Sequence, residues 1–140
     1  MSEYLSALAA IIWLIIALLP WQPWRVREVL EADEQSSVDL SNVTVVIPAR
    51  DEASVIADTL QALKLQGQGL RIILVDDQST DGTADIALNQ DLANLDIIHS
   101  ESLPKGWTGK LWAQEQGLKV VKTPLTLLLD ADIHLMPGIL

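Results

Sequence analysis

Acidic side chains gather at three places in this 140-residue chain, each just beyond a short apolar run. Pro48-Ala49-Arg50-Asp51-Glu52 follows Val43-Thr44-Val45-Val46-Ile47. Asp76-Asp77 follows Arg71-Ile72-Ile73-Leu74-Val75. Asp130-Ala131-Asp132 follows Leu125-Thr126-Leu127-Leu128-Leu129. Taken singly, each cluster has an ordinary explanation. Aspartates turn the chain and cap helices, and Asp81-Gly82 with the hydroxyls of Ser79, Thr80 and Thr83 suits a tight turn plus an N-cap. Glu52 would favour a helix N-terminus through the dipole. Taken together at the ends of successive runs, the acids would converge and repel one another unless cations or hydrogen-bond donors intervene. A divalent metal, sugar hydroxyls or the edge of a base would each provide that relief.

The elements that must position them follow from the pattern. The three runs, with Leu95-Asp96-Ile97-Ile98, read as strands buried on both faces, as in parallel sheets. Ile56, Leu60 and Leu63 recur at helical spacing before Gly67 and Gly69 stop the helix. Asp81-Gly82-Thr83 opens a second helix that continues to Leu88. Thr108 is the N-cap expected for a third, over 109–118. Strands recur roughly every 30 residues, the size of a βαβ unit. The expected fold is α/β and Rossmann-like, with a parallel sheet whose ligands bind beyond the carboxyl ends of the strands. Because side chains alternate along a strand, Asp130 and Asp132 would share a face if extended geometry persists past Leu129.

Residues 5–19 carry no charge, and Ser6 is their only polar side chain. A helix apolar on every face calls for lipid or a deep core. Counting from Tyr4 through Trp24 reaches the ~20 residues of a bilayer crossing, with Trp21 and Trp24 as an interfacial belt, although Pro20 and Pro23 interrupt its end. Residues 1–24 are therefore expected to form one transmembrane anchor. Arg25 and Arg27 would hold the remainder on the cytoplasmic side of the inner (plasma) membrane. A cleaved signal peptide is the alternative, disfavoured by Met1-Ser2-Glu3, which lacks a positive charge; a buried core helix is the other. Residues 25–41 read as an acidic linker and 42–140 as the unit that carries the strands and the acidic clusters.

Lys+Arg number 9 against 19 Asp+Glu, a formal net charge of −10, which argues against a nucleic-acid partner. The absence of cysteine excludes disulfides, thiolate zinc sites and cysteine nucleophiles. No G-x-G-x-x-G follows the first strand, so a dinucleotide-dependent oxidoreductase ranks last. His99 and His134 are too far apart in sequence to argue for a metal pair. Packing explains Trp107 and Trp112 better than sugar stacking does.

The segments Val45-Val46-Ile47-Pro48-Ala49-Arg50-Asp51-Glu52, Val75-Asp76-Asp77-Gln78-Ser79-Thr80-Asp81-Gly82-Thr83 and Leu129-Asp130-Ala131-Asp132 resemble those of family 2 glycosyltransferases, which have the GT-A fold. Gly106-Trp107-Thr108-Gly109-Lys110-Leu111-Trp112-Ala113 is most similar to the hopanoid-biosynthesis-associated members, which also carry an N-terminal hydrophobic segment. The resemblance implies a nucleotide-sugar pocket formed by Pro48, Ala49, Arg50, Glu52, Asp76, Asp77, Lys110 and Asp130. Asp77 would hold the uracil edge and Lys110 would approach the base or the diphosphate. Asp130 and Asp132 would hold Mg2+ or Mn2+. The donor would be a nucleotide-diphosphate sugar, a UDP-sugar foremost. The acceptor would be a hopanoid-like lipid at a membrane. Asp51 stands where the family has Asn, which keeps the size but adds a charge. The family's general base and acceptor-binding segments lie C-terminal to the D-x-D element, so this chain is expected to be the donor-binding half, with no candidate base. The alternative is a catalytically inactive truncated fragment that binds nucleotide weakly or not at all.

Overall fold

The computed structural model describes residues 2–19 and 38–140. The chain divides into two compact units, Met1–Leu30 and Glu31–Leu140. The first contributes one helix, α1 (Ser2–Leu18), of 17 residues. At 1.5 Å per residue it is about 25 Å long, short of the ~30 Å hydrocarbon core. Among the described residues no helix is long and apolar enough to cross a membrane. The expected anchor over 1–24, from which the inner-membrane location was drawn, extends past this helix into residues outside the described ones. The helix ends as the chain reaches Leu19. It precedes Pro20, and a residue before proline is pushed out of the helical region; its N–H closes only a last turn onto the Ile16 carbonyl, at 3.1 Å. Trp21, Trp24, Arg25, Arg27 and most of the acidic linker lie outside the described residues.

The second unit alternates strands and helices: β1 (Val43–Ala49), α2 (Ile56–Lys64), β2 (Arg71–Asp76), α3 (Thr83–Leu88), β3 (Leu95–His99), α4 (Gly109–Val120) and β4 (Leu125–Leu128). The four strands form one parallel sheet in the order β3-β2-β1-β4. Period-two alternation sorts the apolar residues between two faces. Val45, Ile47, Ile72 and Leu74 pack with Ile56, Leu60 and Leu63 of α2 and Ala87 of α3. Val46, Ile73 and Val75 pack with Ala113 of α4. Gly117 lets α4 lie close to the sheet, because a Cβ there would collide with the side chains of Val46 and Val75.

The chain walks outward from β1 to β2 to β3, and then returns to the other flank of β1 as β4. Strand order therefore reverses between β1 and β4, which is where open α/β sheets form their binding crevice.

Candidate functional site

A cleft of about 360 Å3 opens at the carboxyl ends of the strands, lined by residues from three loops and from the start of α4. Of the residues singled out from the sequence, Pro48, Ala49, Arg50, Glu52, Asp77, Lys110, Asp130 and Asp132 all line it. Asp76 does not. It is buried at the end of β2, with its Oδ2 3.1 Å from His99 Nδ1 and its Oδ1 accepting the Ser79 N–H at 3.4 Å. Asp76 thus supports the loop that leads away from the cleft.

The loop after β1 is fastened to the loop after β2. Asp51 has φ 54°, the left-handed region that Asn and Asp tolerate best among side-chain-bearing residues. Its N–H donates to Ser79 Oγ at 3.0 Å, while its Oδ1 accepts the Thr80 N–H at 2.8 Å and the Thr80 hydroxyl at 3.2 Å. Asp51 is used here through an accepting oxygen and a permissive backbone, two properties it shares with Asn. No donated side-chain hydrogen bond is needed, which answers the departure noted in the sequence. Two further clasps run in parallel: Glu52 N–H to Thr83 Oγ1 at 2.9 Å and Ala53 N–H to Asp81 Oδ2 at 2.9 Å. The Asp81 carboxyl is held below its ordinary pKa, first by the Thr83 hydroxyl and then by the Ala53 N–H.

Asp77 sits against three different elements. Its N–H donates to the Ala49 carbonyl at 2.7 Å, its Oδ1 accepts the Ser100 hydroxyl at 2.6 Å, and its Oδ2 faces Arg50 Nη1 at 3.6 Å. Gly109, the first residue of α4, is there because a Cβ would come within 2.7 Å of Asp77 Oδ2. Thr108 has the extended backbone of an N-cap, but its side chain makes no capping bond. Trp107 and Trp112 stack edge-on with ring centroids 5.3 Å apart, and Trp112 Nε1 donates to the Glu101 carbonyl at 3.1 Å. This pair braces the approach to α4.

The D-x-D element departs from the expected geometry. Strand β4 ends at Leu128, and a turn follows in which the Ile133 N–H reaches the Asp130 carbonyl at 3.3 Å. Extended alternation therefore does not persist through Asp130-Ala131-Asp132. Ala131 is buried instead, and its carbonyl accepts the Thr59 hydroxyl at 2.7 Å. The turn still brings both carboxylates to the same cleft.

The electrostatics also differ from a bare acidic rim. Lys110 Nζ lies 2.6 Å from Asp130 Oδ1, and Arg50 faces Asp77. Two cations of the chain thus answer two of the three cleft aspartates, and the need for a metal is smaller than the acids alone suggested. Among the described residues no group of three or more His, Asp or Glu side chains is placed to hold a metal ion. Asp130 and Asp132 do fit the mode in which Mg2+ or Mn2+ uses one or two carboxylates and completes its shell with water and substrate phosphates. Ser100, Gly109 and Ala113 were not singled out as site residues. Ser100 and Gly109 become legible only once β3 and α4 are placed beside β2.

An α/β domain with a four-stranded parallel sheet and a cleft of mixed charge at its switch point is of the GT-A kind. The family model Glycosyl transferase family 2 matches residues 44–140, and the chain belongs to that family. Curated relatives include the 4,4'-diaponeurosporenoate glycosyltransferase of Staphylococcus haemolyticus, 29% identical over 67% of this chain and 25% of its own length. Its counterpart in Staphylococcus aureus (strain USA300) is 31% identical over 65% and 24%. This chain thus spans about a quarter of the length of the curated relatives it matches. These relatives are not hopanoid-associated. Among solved structures, S. aureus TarS aligns with TM-score 0.55 at 26% identity, over 64% of this chain and 27% of that one. The mannosyltransferase PcManGT from Pyrobaculum calidifontis, solved with GDP-Man and Mn2+, aligns with TM-score 0.54 at 25% identity, over 76% and 31%.

Proposed function

We propose that the chain is the donor-binding part of a glycosyltransferase that takes a nucleotide-diphosphate sugar in the cleft between the ends of β1, β2 and β4. The observation that carries this reading is the convergence of Arg50, Asp77, Lys110, Asp130 and Asp132 on that single cleft. Asp77, mostly buried and acceptor-only, suits the N–H edge of a base. Lys110, mounted at the start of α4, suits the diphosphate, because a helix N-terminus and an ammonium both favour anions. Asp130 and Asp132 would hold Mg2+ or Mn2+ against the same diphosphate, and PcManGT with its GDP-Man and Mn2+ supports that pairing of ligands. When bound, the metal would offset charge developing on the leaving diphosphate. For Asp130 to serve it, Lys110 must release the carboxylate and turn to the phosphates.

The names of the curated relatives support a lipid-type acceptor such as 4,4'-diaponeurosporenoate. A hopanoid-like acceptor rests on the Gly106-to-Ala113 stretch alone. Acceptor chemistry is not assigned to the residues of this cleft.

The test is calorimetric titration of the full chain with UDP, with Mn2+ and with EDTA, for the wild type and Asp132→Asn. Divalent-dependent binding that Asp132→Asn weakens is the expected result. Equal affinity with Mn2+ and with EDTA would favour a second reading, metal-independent nucleotide binding, to which the Lys110–Asp130 pair points. No binding by a folded preparation would leave the inactive-fragment alternative standing.

A further inference from the structure

We infer that Ser100 is a specificity-determining residue: by occupying one oxygen of Asp77 it leaves that carboxylate a single free oxygen for a base and so selects uracil over guanine. This rests on the reading that Asp77 meets the base. Ser100 lies just past β3, where its N–H donates to the Asp76 carbonyl at 2.9 Å and its hydroxyl donates to Asp77 Oδ1 at 2.6 Å. Two bonds, one to the last residue of β2 and one to the residue after it, fix the hydroxyl where it is. Asp77 itself is held by its N–H to Ala49 and is only 7% exposed, so its carboxylate has little freedom to turn.

The two oxygens therefore differ. Oδ1 is taken by a short bond. Oδ2 has Arg50 at 3.6 Å, an ion-pair distance too long for a good N–H···O hydrogen bond. No buried side-chain oxygen or nitrogen among the described residues lacks a partner. Oδ2, which accepts no hydrogen bond from them, consequently keeps access to solvent. Its neighbour is Gly109, a cleft-lining residue.

The two bases make different demands. Uracil offers one ring N–H between two carbonyls; a single oxygen satisfies the N–H, and a second free carboxylate oxygen would face a carbonyl and be repelled. Guanine offers its ring N–H and its amino group side by side, a pair that matches both oxygens of a carboxylate. An aspartate with Oδ1 already engaged favours the first pattern. Deleting the hydroxyl restores a two-oxygen acceptor.

Dissociation constants for UDP and GDP are measured by calorimetry in Mn2+ on the full chain, for the wild type, Ser100→Ala and Ser100→Thr. The wild type is expected to prefer UDP. Ser100→Ala is expected to narrow the UDP-to-GDP ratio about tenfold, the scale of one hydrogen bond to a charged group, mostly by gaining affinity for GDP. Ser100→Thr, which keeps the hydroxyl, is expected to hold the wild-type ratio. If circular dichroism shows Ser100→Ala unfolded, Ser100→Cys is read in the same way, since its thiol is a weak donor of similar size. UDP binding with an unchanged ratio in the variant lacking the hydroxyl, or a wild type without UDP preference, overturns the role of Ser100 alone. No binding of either nucleotide by a folded wild type overturns it together with the proposed function.

Discussion

Lys110 Nζ stands 2.6 Å from Asp130 Oδ1, joining the first turn of α4 to the turn after β4 across the mouth of the cleft. Both side chains are about half exposed, so the pair contributes little to folding; exposed pairs are typically worth ~0–1 kcal/mol. Its consequence is competition. The ammonium occupies a carboxylate oxygen that a divalent ion would use.

Lys110→Ala is accordingly expected to act in opposite directions on two ligands. Mn2+ alone should bind tighter than to the wild type, because Asp130 is released. UDP should bind about tenfold weaker, through loss of one charge-assisted contact to phosphate. Separate titrations with Mn2+ and with UDP check both signs. A variant that loses affinity for both would show that Lys110 positions Asp130 for the metal and does not compete with it.

Gly109→Ala tests the packing of α4 against Asp77. The added methyl would meet Asp77 Oδ2 at 2.7 Å, a distance that forces the carboxylate aside. Nucleotide affinity should fall about tenfold or more while the melting temperature does not, since alanine is the better helix former. A parallel fall in melting temperature would mean that the domain, and not the base contact, depends on this glycine.

Gly117→Ala makes the complementary case. Its methyl would press on Val46 and Val75, both fully buried in the sheet. Overpacking of this kind costs about 1–3 kcal/mol. The urea midpoint should drop with an unchanged slope, and wild-type stability would refute the close helix–sheet contact.

Acid sensitivity should localise to the loop after β2. The Asp81 carboxyl lies below its ordinary value of 3.8 because of the Thr83 hydroxyl and the Ala53 N–H. A depressed native pKa contributes stability that is fully present above the unfolded value and is lost as pH falls through the native one. Asp81→Asn should therefore flatten the pH dependence of stability below about pH 4 and leave it unchanged near neutrality. An unaltered acid limb in urea titrations would count against the clasp.

The strand–helix alternation was legible because buried parallel strands write themselves as continuous apolar runs, and the cleft residues because they stand immediately after those runs. Two features were not. Asp130 and Asp132 looked like one strand face, whereas the Thr59 hydroxyl captures the Ala131 carbonyl 72 residues away and settles a turn instead. The acids read as mutually repulsive because the pairing of Arg50 with Asp77 and of Lys110 with Asp130 is not written in their spacing. Each depends on a contact that no local pattern encodes.

The position of β4 has a dynamic consequence. Among the described residues it is an edge strand of four residues, largely exposed, held to β1 alone by a parallel pairing that runs from Val43 opposite Leu125 to Val46 opposite Leu128. Such an edge opens more readily than the β1–β2 centre, so its amides should exchange hydrogen faster than those of β1 and β2. Asp130, Ala131 and Asp132 ride on that edge, while Asp77 rides on the centre. A nucleotide reaching from Asp77 to Asp130 would work as a non-covalent staple between the slowly and the rapidly exchanging parts, and its binding energy would appear as exchange protection of β4.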